Sequence, residues 1–427
     1  MKKHDSGAEL DALIRHTCVR IRSAAGRNGL VRKIYFLDKR RWYEQYKPDD
    51  FGDHMPFLSV AEGNTTFAQG QWTLWKQRMV DGIPRPKHVI ALPPMLYANA
   101  VDDMLQGMSV LHEWFGKTWL EDGLALARNA QHAFQMRSGV FATVSIPTIH
   151  VPLPEGCAPI RPAISGLRFF ANAPTNGLLA ASLLQFGSLA GDDGLLQAGT
   201  RCLNRWIGTR MFVNHGLFPY RLLPGESSDT NLMKANSNFA HALLDTMETG
   251  DGRYREAMQR LVLALRGTFR SDLGCSNEPR GVKVSLMATQ AYCTILWRMS
   301  RLGYPELRDE AESIAWNVAN AAFGDTPTSL WRDAAFEDDA VGDFLNLLML
   351  MDEKRKNREI IGKAHRYLVD NFYLGDGLWQ DYRDPRMQRT AHSKFLGGVL
   401  KHLLGYRAYL RGEDISHGRW SRLLEDR

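Results

Sequence analysis

Residues 176–208, NGLLAASLLQFGSLAGDDGLLQAGTRCLNRWIG, combine two helical patterns on either side of a Gly-Asp-Asp turn. The first half is almost entirely apolar or small, which is typical of a helix buried on all sides. The second half places its apolar residues on one helical stripe: Leu195, Leu196, Ala198, Cys202, Leu203 and Trp206. The stretch therefore predicts a hairpin of one buried inner helix and one amphipathic outer helix.

The same plan recurs along the chain. It is clear at 99–134, 235–267, 285–322 and 338–372, and weaker at 49–80. A last helix at 391–412 has no following partner, but the helix near 8–24 can supply one if the chain closes into a ring. Repetition of buried and amphipathic helices predicts an all-α fold, an (α/α)6 to (α/α)7 toroid. We expect a single domain over 1–427, with an N-terminal extension (1–48), helical hairpins (49–412) and a C-terminal tail (413–427).

A second repeated feature is a junction after each outer helix, and four of the five junctions contain a glycine. Five such junctions are SGVFATVSIP (138–147), HGLFPYRLLP (215–224), LGCSNEPRG (273–281), TSLWRDAAFEDD (328–339) and DGLWQDYRDP (376–385). A glycine can end a helix in the left-handed conformation, after which the aromatic side chain packs back. All these crossings reach the same end of the toroid and are longer than the turns at the other end. Long loops on one face of a rigid scaffold commonly carry a functional site.

Composition limits the classes of function. The chain has 427 residues, is 44% hydrophobic and carries a net charge of +6. Its basic residues are dispersed, so they predict a solvated surface and no nucleic-acid partner. No run of about 18 apolar residues occurs, so no membrane span is expected. The five cysteines match neither a disulfide framework nor a zinc spacing, and no phosphate-binding glycine loop is present, which predicts a cytoplasmic protein without metal or cofactor.

Acidic and basic residues collect where the inner helices begin. The predicted catalytic residues are Asp53, Asp338, Asp339, Asp381, Tyr382 and His392. Paired carboxyl groups suit glycoside hydrolysis, and DDFGDH (49–54) and EDDAVGD (337–343) would face one cleft if the ring closes. Tyr and His are suitable bases for abstracting a proton.

The predicted substrate-binding residues are Asp50, His54, Phe218, Tyr220, Arg221, Lys234, Asn238, Trp331, Arg332, Trp379, Arg383 and Lys394. Guanidinium groups can bind an anion with two parallel hydrogen bonds, and the aromatic rings can stack on a sugar. Converging helix N-termini would add positive potential. Together these features predict an anionic oligo- or polysaccharide as the partner.

Helical hairpins joined by Gly-[Leu/Val]-[Phe/Trp] junctions resemble the six-hairpin glycosidase group. That group includes unsaturated glucuronyl hydrolases, N-acylglucosamine 2-epimerases, uronate polysaccharide lyases and glucuronyl C5-epimerases. The resemblance covers residues 49–412 as architecture, and the catalytic motif of no single family is found. It implies a carbohydrate-active toroid.

Four functions are compatible with these patterns. The first is hydrolysis of an acidic, uronate-containing saccharide by carboxyl groups at the rim. The second is uronate C5-epimerisation or polysaccharide elimination, with a Tyr or His base and an Arg that neutralises the carboxylate. The third is a class II-type terpene cyclase, because FEDDAV (336–341) and GQW (70–72) resemble its motifs, although Phe336 or Ala335 replaces the leading Asp. The fourth is a toroidal binding protein without catalysis.

Overall fold

The computed structural model describes residues 7–85, 96–146, 167–223, 226, 232–271, 273–279, 281, 284–325, 337–384, 386–387 and 389–425. Two sets of helices alternate along these residues. The inner helices are α2 (Asp49–Glu62), α4 (Asn99–Phe115), α6 (Ala173–Ala190), α9 (Leu232–Glu248), α11 (Leu286–Arg301), α13 (Glu337–Met351) and α15 (Ser393–Arg411). The outer helices are α1 (Gly7–Ser23), α3 (Thr66–Lys76), α5 (Lys117–Phe134), α7 (Asp193–Ile207), α10 (Arg255–Phe269), α12 (Glu306–Phe323) and α14 (Arg358–Phe372).

The inner helices form a closed ring. Each contacts the next in chain order, and α15 contacts α2. The outer helices pack around them, and α1 packs against α15 as its partner. The prediction of an all-α toroid is therefore confirmed, and the described residues contain seven inner and seven outer helices. Within these ranges, no helix combines the length and the apolar character needed to cross a bilayer.

The inner and outer positions follow from the distribution of apolar residues. Helix α6 buries residues around its whole circumference, including Leu179, Leu183 and Phe186. Helix α7 buries only one stripe, which includes Leu203 and Trp206, and exposes its opposite face. Burying a large apolar side chain contributes about 1.5–3 kcal/mol, so a helix apolar on every side is most stable between the other inner helices and the outer layer.

Short strands line the end of the ring where the inner helices begin. They are β1 (Ile34–Phe36), β2 (Arg41–Tyr43), β3 (Met79–Val80), β4 (Ile83–Pro84), β5 (Leu96–Tyr97), β6 (Val144–Ile146), β7 (Leu167–Phe169), β8 (Ala171–Asn172), β9 (Arg221–Leu223), β10 (Arg270–Ser271), β11 (Gly274–Cys275), β12 (Tyr373–Gly375), β13 (Leu378–Trp379) and β14 (Thr390–His392). All pair antiparallel, in the orders β14-β1-β2, β5-β6-β7, β3-β4, β8-β9, β10-β11 and β12-β13. The pairing of β1 with β14 joins the segment before the first inner helix to the segment before the last one.

The junctions are held by polar side chains of the inner helices that follow them. The Asn176 side chain accepts a hydrogen bond from the backbone N–H of Phe141 (2.7 Å) and donates to its carbonyl (2.8 Å). Asn236 accepts from the N–H of Phe218 in the next junction (2.8 Å). Thr289 accepts from the N–H of Cys275 (3.0 Å). Each bond satisfies a buried backbone donor and fixes the loop on the helix that begins after it.

Two further helices complete the described chain, together with a 3₁₀ turn at Gly252–Tyr254. They are α8 (Arg210–His215) and α16 (Gly418–Leu424). Helix α16 contacts α4, α13 and α15 at the end of the ring where the inner helices finish. Its Trp420 ring packs edge-on against Trp114, with centroids 5.0 Å apart.

Candidate active site

A cavity of about 760 Å³ occupies the centre of the ring. Its walls include residues of all seven inner helices, and α16 contributes Arg422 and Leu423, with Glu425 just beyond it. Along α4 the lining extends from Asp103 to Glu113, which corresponds to a depth of about 15 Å at 1.5 Å per residue. The volume lies within the range of small-molecule sites.

Lys394 stands at the centre of the acidic wall of this cavity. Its ammonium lies 3.0 Å from a carboxylate oxygen of Asp53 and 4.0 Å from one of Asp103. Burial opposes its charge, but the nearby carboxylates hold the pKa of Lys394 well above its usual range, and they include Asp49 and Asp339. Four acidic side chains from three helices therefore surround one cation.

Close packing of the helix backbones brings these groups together. Gly107 on α4 faces Gly52 on α2 so closely that a methyl group at residue 107 would lie 2.6 Å from the Gly52 Cα. A methyl group at residue 397 of α15 would overlap the backbone carbonyl of Asp53. At residue 398 it would lie 2.5 Å from Oδ1 of Asp339. The glycines thus allow α4, α2, α15 and α13 to present their side chains to one small volume.

Two consecutive Asp-Asp pairs have the same local geometry. Asp102 accepts a hydrogen bond from the backbone N–H of Asp103 (2.7 Å), and Asp338 accepts one from that of Asp339 (2.8 Å). The first residue of each pair is fully buried, and this burial raises its pKa well above the usual range. The second residue of each pair lines the cavity. The pattern supplies one buried neutral carboxyl group behind one carboxyl group that faces the site.

His392 is held at the mouth of the cavity by Asp381. The imidazole Nδ1 lies 2.6 Å from Oδ2 of Asp381, and the backbone N–H of His392 donates to Oδ1 (2.9 Å). Asp381 is buried, and His392 lines the cavity. This contact assigns the proton of the neutral imidazole to Nδ1, as the donor to the carboxyl oxygen, and leaves Nε2 as the accepting nitrogen.

The opposite wall carries neutral polar side chains and His241. Ser237, Asn238 and Gln290 line it beside His241. Arg298 lies 3.1 Å from Nδ1 of His241. Since a guanidinium group only donates, Nδ1 is the acceptor and the proton of the neutral ring is on Nε2. The two histidines among the described lining residues, His241 on α9 and His392 just before α15, are therefore assigned opposite tautomers.

A second ion pair lies deeper. The Lys401 ammonium is 2.5 Å from Oδ1 of Asp343, and both residues line the cavity. Lys401 follows Lys394 by seven residues, so the two amines project from the same face of α15. Among the described residues, no group of three or more His, Cys, Asp or Glu side chains could hold a metal ion.

The structure brings only part of the predicted set to the cavity. Asp53, Asn238, Asp339, His392 and Lys394 line it. Asp50, His54, Asp338 and Asp381 are buried in the wall behind it. Burial lowers the pKa of His54 to about 3, so its ring is neutral, and desolvation raises the pKa of Asp50 well above the usual range.

The aromatic residues of the junctions differ from the prediction. Phe218 and Trp379 are fully buried: Phe218 packs between Phe212 and Phe239, and Trp379 donates to Thr17 (3.0 Å). The expectation that these two rings stack on a substrate is therefore wrong, because their backbone positions direct them into the core.

The other predicted residues lie away from the lining or outside the described residues. Tyr220 is half-buried against the core, Tyr382 is half-buried, and Arg221 is exposed. Arg383 is exposed, with its guanidinium 5.6 Å from the centre of the Tyr367 ring. Trp331, Arg332 and the side chain of Lys234 lie outside the described part of the chain.

Asp343, one of the carboxylates of EDDAVGD (337–343), also lines the cavity, whereas several other lining residues were not predicted as site residues: Asp49, Asp103, Glu113, His241, Lys401 and Glu425. For Asp103 a signal exists in the sequence, because Asp102-Asp103 lies near the start of α4 as Asp338-Asp339 lies near the start of α13. Lys401 could be found from its seven-residue spacing to Lys394. Glu425 has no comparable signal, since it follows a short helix at the end of the chain.

Comparison with known proteins adds evidence on the fold. No protein-family model matches the chain, and no curated protein matches it significantly. The structure is similar to that of a GH76 α-mannanase from Bacteroides thetaiotaomicron, with a TM-score of 0.53 and 10% identity over 98% of this chain and 97% of that chain. It is also similar to the structure of a GH76A α-1,6-mannanase from Salegentibacter sp., with a TM-score of 0.52 and 10% identity over 94% of this chain and 99% of that chain.

A cellobiose 2-epimerase from Spirochaeta thermophila is similar to the same degree. Its TM-score is 0.52 and its identity is 13%, over 82% of this chain and 93% of that chain. At such identities the similarity establishes the fold and not the reaction. The closed ring of helical hairpins and its similarity to these three structures identify the fold of the chain as a glycosidase-like α/α toroid, with seven inner and seven outer helices in its described residues.

Proposed function

We propose that this protein is a carbohydrate-active enzyme that hydrolyses a glycosidic bond in the central cavity. The observation that carries the proposal is the group of four carboxyl groups around Lys394, formed by Asp49, Asp53, Asp103 and Asp339. Glycoside hydrolysis needs one carboxyl group that donates a proton and one carboxylate that activates water or attacks the sugar. A crowded acidic cluster supplies both, because neighbouring carboxyl groups ionise at different pH values.

The roles follow from the surroundings of each group. Burial raises the pKa of Asp53, while Lys394 acts in the opposite direction. Asp53 is therefore the proposed general acid, which protonates the oxygen of the leaving sugar. Asp339 and Asp103 are the candidates for the ionised partner. Asp338 and Asp102, buried behind them, position the backbone at the helix start.

Two consecutive aspartates are also named for one of the proteins with a similar structure. A variant of the Salegentibacter α-1,6-mannanase, inactive after Asp→Asn substitutions at two consecutive positions, is described in complex with α-1,6-mannotriose. Consecutive aspartates also lie near the starts of α4 and α13 here. This supports the assignment of Asp103 and Asp339, and it suggests α-1,6-mannooligosaccharides as the first probes.

Charge in the described lining favours a neutral saccharide over the anionic one expected from the sequence. Among the described residues, eight carboxyl groups and four cationic groups line the cavity. Lys394, Lys401 and Arg422 each form an ion pair with a lining carboxylate. Neither Arg221 nor Arg383 belongs to the lining. Binding of a uronate would add a negative charge to an already acidic wall.

The experiment combines a thermal-shift screen with a hydrolysis assay. Neutral saccharides, uronates and an isoprenoid diphosphate are compared, because a ligand of the native state raises the melting temperature. Asp53→Asn and Asp339→Asn should abolish release of reducing sugar, with ligand binding and melting temperature retained. Asp370→Asn, at an exposed position of α14, is the matched control. Full activity of both site variants, or a shift only with the diphosphate, would refute the proposal.

Epimerisation of a sugar is the second candidate, and the tautomers of two histidines favour it. His392 presents a proton-accepting Nε2 and His241 a proton-bearing Nε2 from opposite sides of the ring. A base on one face of a carbon and an acid on the other suit inversion of a C–H centre. Incubation with mannose or cellobiose in heavy water would incorporate deuterium beside the carbonyl carbon. Incorporation lost in His392→Asn, without hydrolysis in the parent, would favour this reaction.

A further inference from the structure

We infer that residues 413–425 close one end of the cavity, so that the site receives the end of a saccharide chain and not its interior. This inference rests on the proposed carbohydrate function and specifies its substrate. The relevant feature is the short helix α16. It lies across the ring at the end where the inner helices finish, opposite the mouth of the cavity.

Helix α16 crosses the opening of the ring from one side to the other. Arg422 lies 3.6 Å from Glu113 near the end of α4. Glu425 lies 3.9 Å from Arg298 and 3.8 Å from Arg301, near the end of α11. In the closed ring α4 and α11 are separated by α6 and α9 on one side. A segment that contacts both ends therefore spans the central opening.

Residues 413–425, which cross the ring, are attached to the inner helices by close packing and hydrogen bonds. Leu424 lies against α15 at Gly405, where a methyl group would be 2.6 Å from its Cδ2 atom and 3.2 Å from the Met349 Cε atom. Trp420 packs on Trp114 and donates from Nε1 to Glu413 (3.0 Å). Arg355 donates to the Glu413 carbonyl (2.8 Å). These contacts join the segment to α4, α13 and α15, so it is a fixed part of the cavity.

The floor formed in this way is both apolar and charged. Leu423 and Glu425 are buried and line the cavity. Ser421 donates to one Glu425 oxygen (3.1 Å), and His241 stands above in the wall. A carboxylate at a blind end can accept hydrogen bonds from the hydroxyl groups of a terminal sugar, while Leu423 contacts its C–H surface.

Depth connects the floor to the reaction. The carboxyl groups around Lys394 lie near the starts of their helices, and the floor lies about 15 Å below them along α4. A saccharide that enters at the mouth stops at Glu425. The bond held at Asp53 and Asp339 is then at a fixed distance from the chain end, so products have one length.

Calorimetric titration tests this without requiring turnover. Mannan, dextran, amylose and xylan are each prepared as short, medium and long chains and titrated at equal mass into Asp339→Asn. Binding at chain ends predicts that the number of sites per gram falls in inverse proportion to chain length. A constant number per gram would overturn the inference and leave the proposed function standing. Binding to none of the four would overturn both.

Variants of the floor provide the second test. Leu423→Trp fills the floor and Glu425→Gln removes its charge, so each should weaken binding of the short chains about tenfold or more. Leu410→Trp, at an exposed position of α15, is the matched control and should bind as the parent does. Equal affinity in all three variants, with unchanged melting temperatures, would overturn the inference.

Discussion

The Lys394 ammonium lies 3.0 Å from Oδ2 of Asp53, and the two residues come from neighbouring inner helices, α15 and α2. Each side chain is only partly exposed, at 32% and 24%, and both exposed surfaces face the cavity. This pair links the closure of the ring to the chemistry of the site, because it forms only when α15 and α2 are adjacent.

Replacement of Lys394 by Met should impair both stability and turnover. Removal of the amine leaves Asp53 and its neighbours without their central cation and raises the pKa of Asp53 further. We expect a loss of about 1–3 kcal/mol in the free energy of unfolding, less than for a fully buried pair. The alkaline limb of the activity profile should move to higher pH, since Asp53 would hold its proton longer. Lys363→Met on α14 is the control; an unchanged pH profile in Lys394→Met would contradict the assignment of Asp53.

Asp102→Asn should stabilise the protein at neutral pH. Burial raises the pKa of Asp102 well above its value in the unfolded chain, about 3.9. The carboxyl group therefore favours the folded state when it is protonated, and this contribution is lost as the pH rises through its folded pKa. Asparagine keeps the acceptor for the Asp103 N–H and carries no charge. Denaturant unfolding should show the gain near pH 7 and none below about pH 4; a less stable variant at pH 7 would refute it.

Alanine substitutions at Gly52 and Gly70 should have opposite effects on the free energy of unfolding. At Gly52 an added methyl group would overlap the backbone carbonyl of Asp103, which cannot move without separating α2 from α4. We expect a destabilisation of about 3 kcal/mol. At Gly70, within α3, nothing lies within 4 Å, and alanine should stabilise by about 0.5–1 kcal/mol through its higher helix propensity. Urea titrations of both variants decide the matter, and equal effects would contradict the close approach of α2 and α4.

Gly405→Ala should loosen the floor of the cavity. The added methyl group would meet the Cδ atoms of Leu424 and the end of Met349, which are mobile enough to move at some cost. We expect a loss of about 1–2 kcal/mol. The second substitution Leu424→Ala should remove the clash, so the double variant should lose less than the sum of the two single losses. Additive losses in a double-mutant cycle would mean that Leu424 does not pack on α15 as described.

Much of the fold could be predicted from the sequence, because the inner and outer helices differ in how their apolar residues are distributed. The pattern at 176–208 predicts both α6 and α7, and the unpaired helix near 8–24 correctly indicates a partner for α15. The seven-residue helix α16 has too few turns for a periodic pattern. Its position across the ring is therefore visible only in the structure.

The site was harder to predict, since it depends on lateral contacts between distant helices. Asp53 and Lys394 could be identified as polar residues near helix starts, but their pairing requires the glycine contacts of α15. The junction motif shows the limit of local patterns. It correctly predicts where the chain reverses, but it does not show whether the aromatic side chain of the junction faces the cavity or the core. The hydrogen bond from the Phe218 N–H to Asn236 fixes that junction with its ring in the core.

Pairing of β1 with β14 joins residues 34–36 to residues 390–392 and has a consequence for how the chain folds. Contacts between segments so far apart in sequence form slowly, because the loop between them must be closed first. During synthesis the faces of α2 and α13 that α15 covers remain exposed until α15 itself has left the ribosome. Folding of this toroid is therefore completed when α15 packs between α13 and α2. Until then the inner helices form an open arc whose two end faces expose apolar side chains.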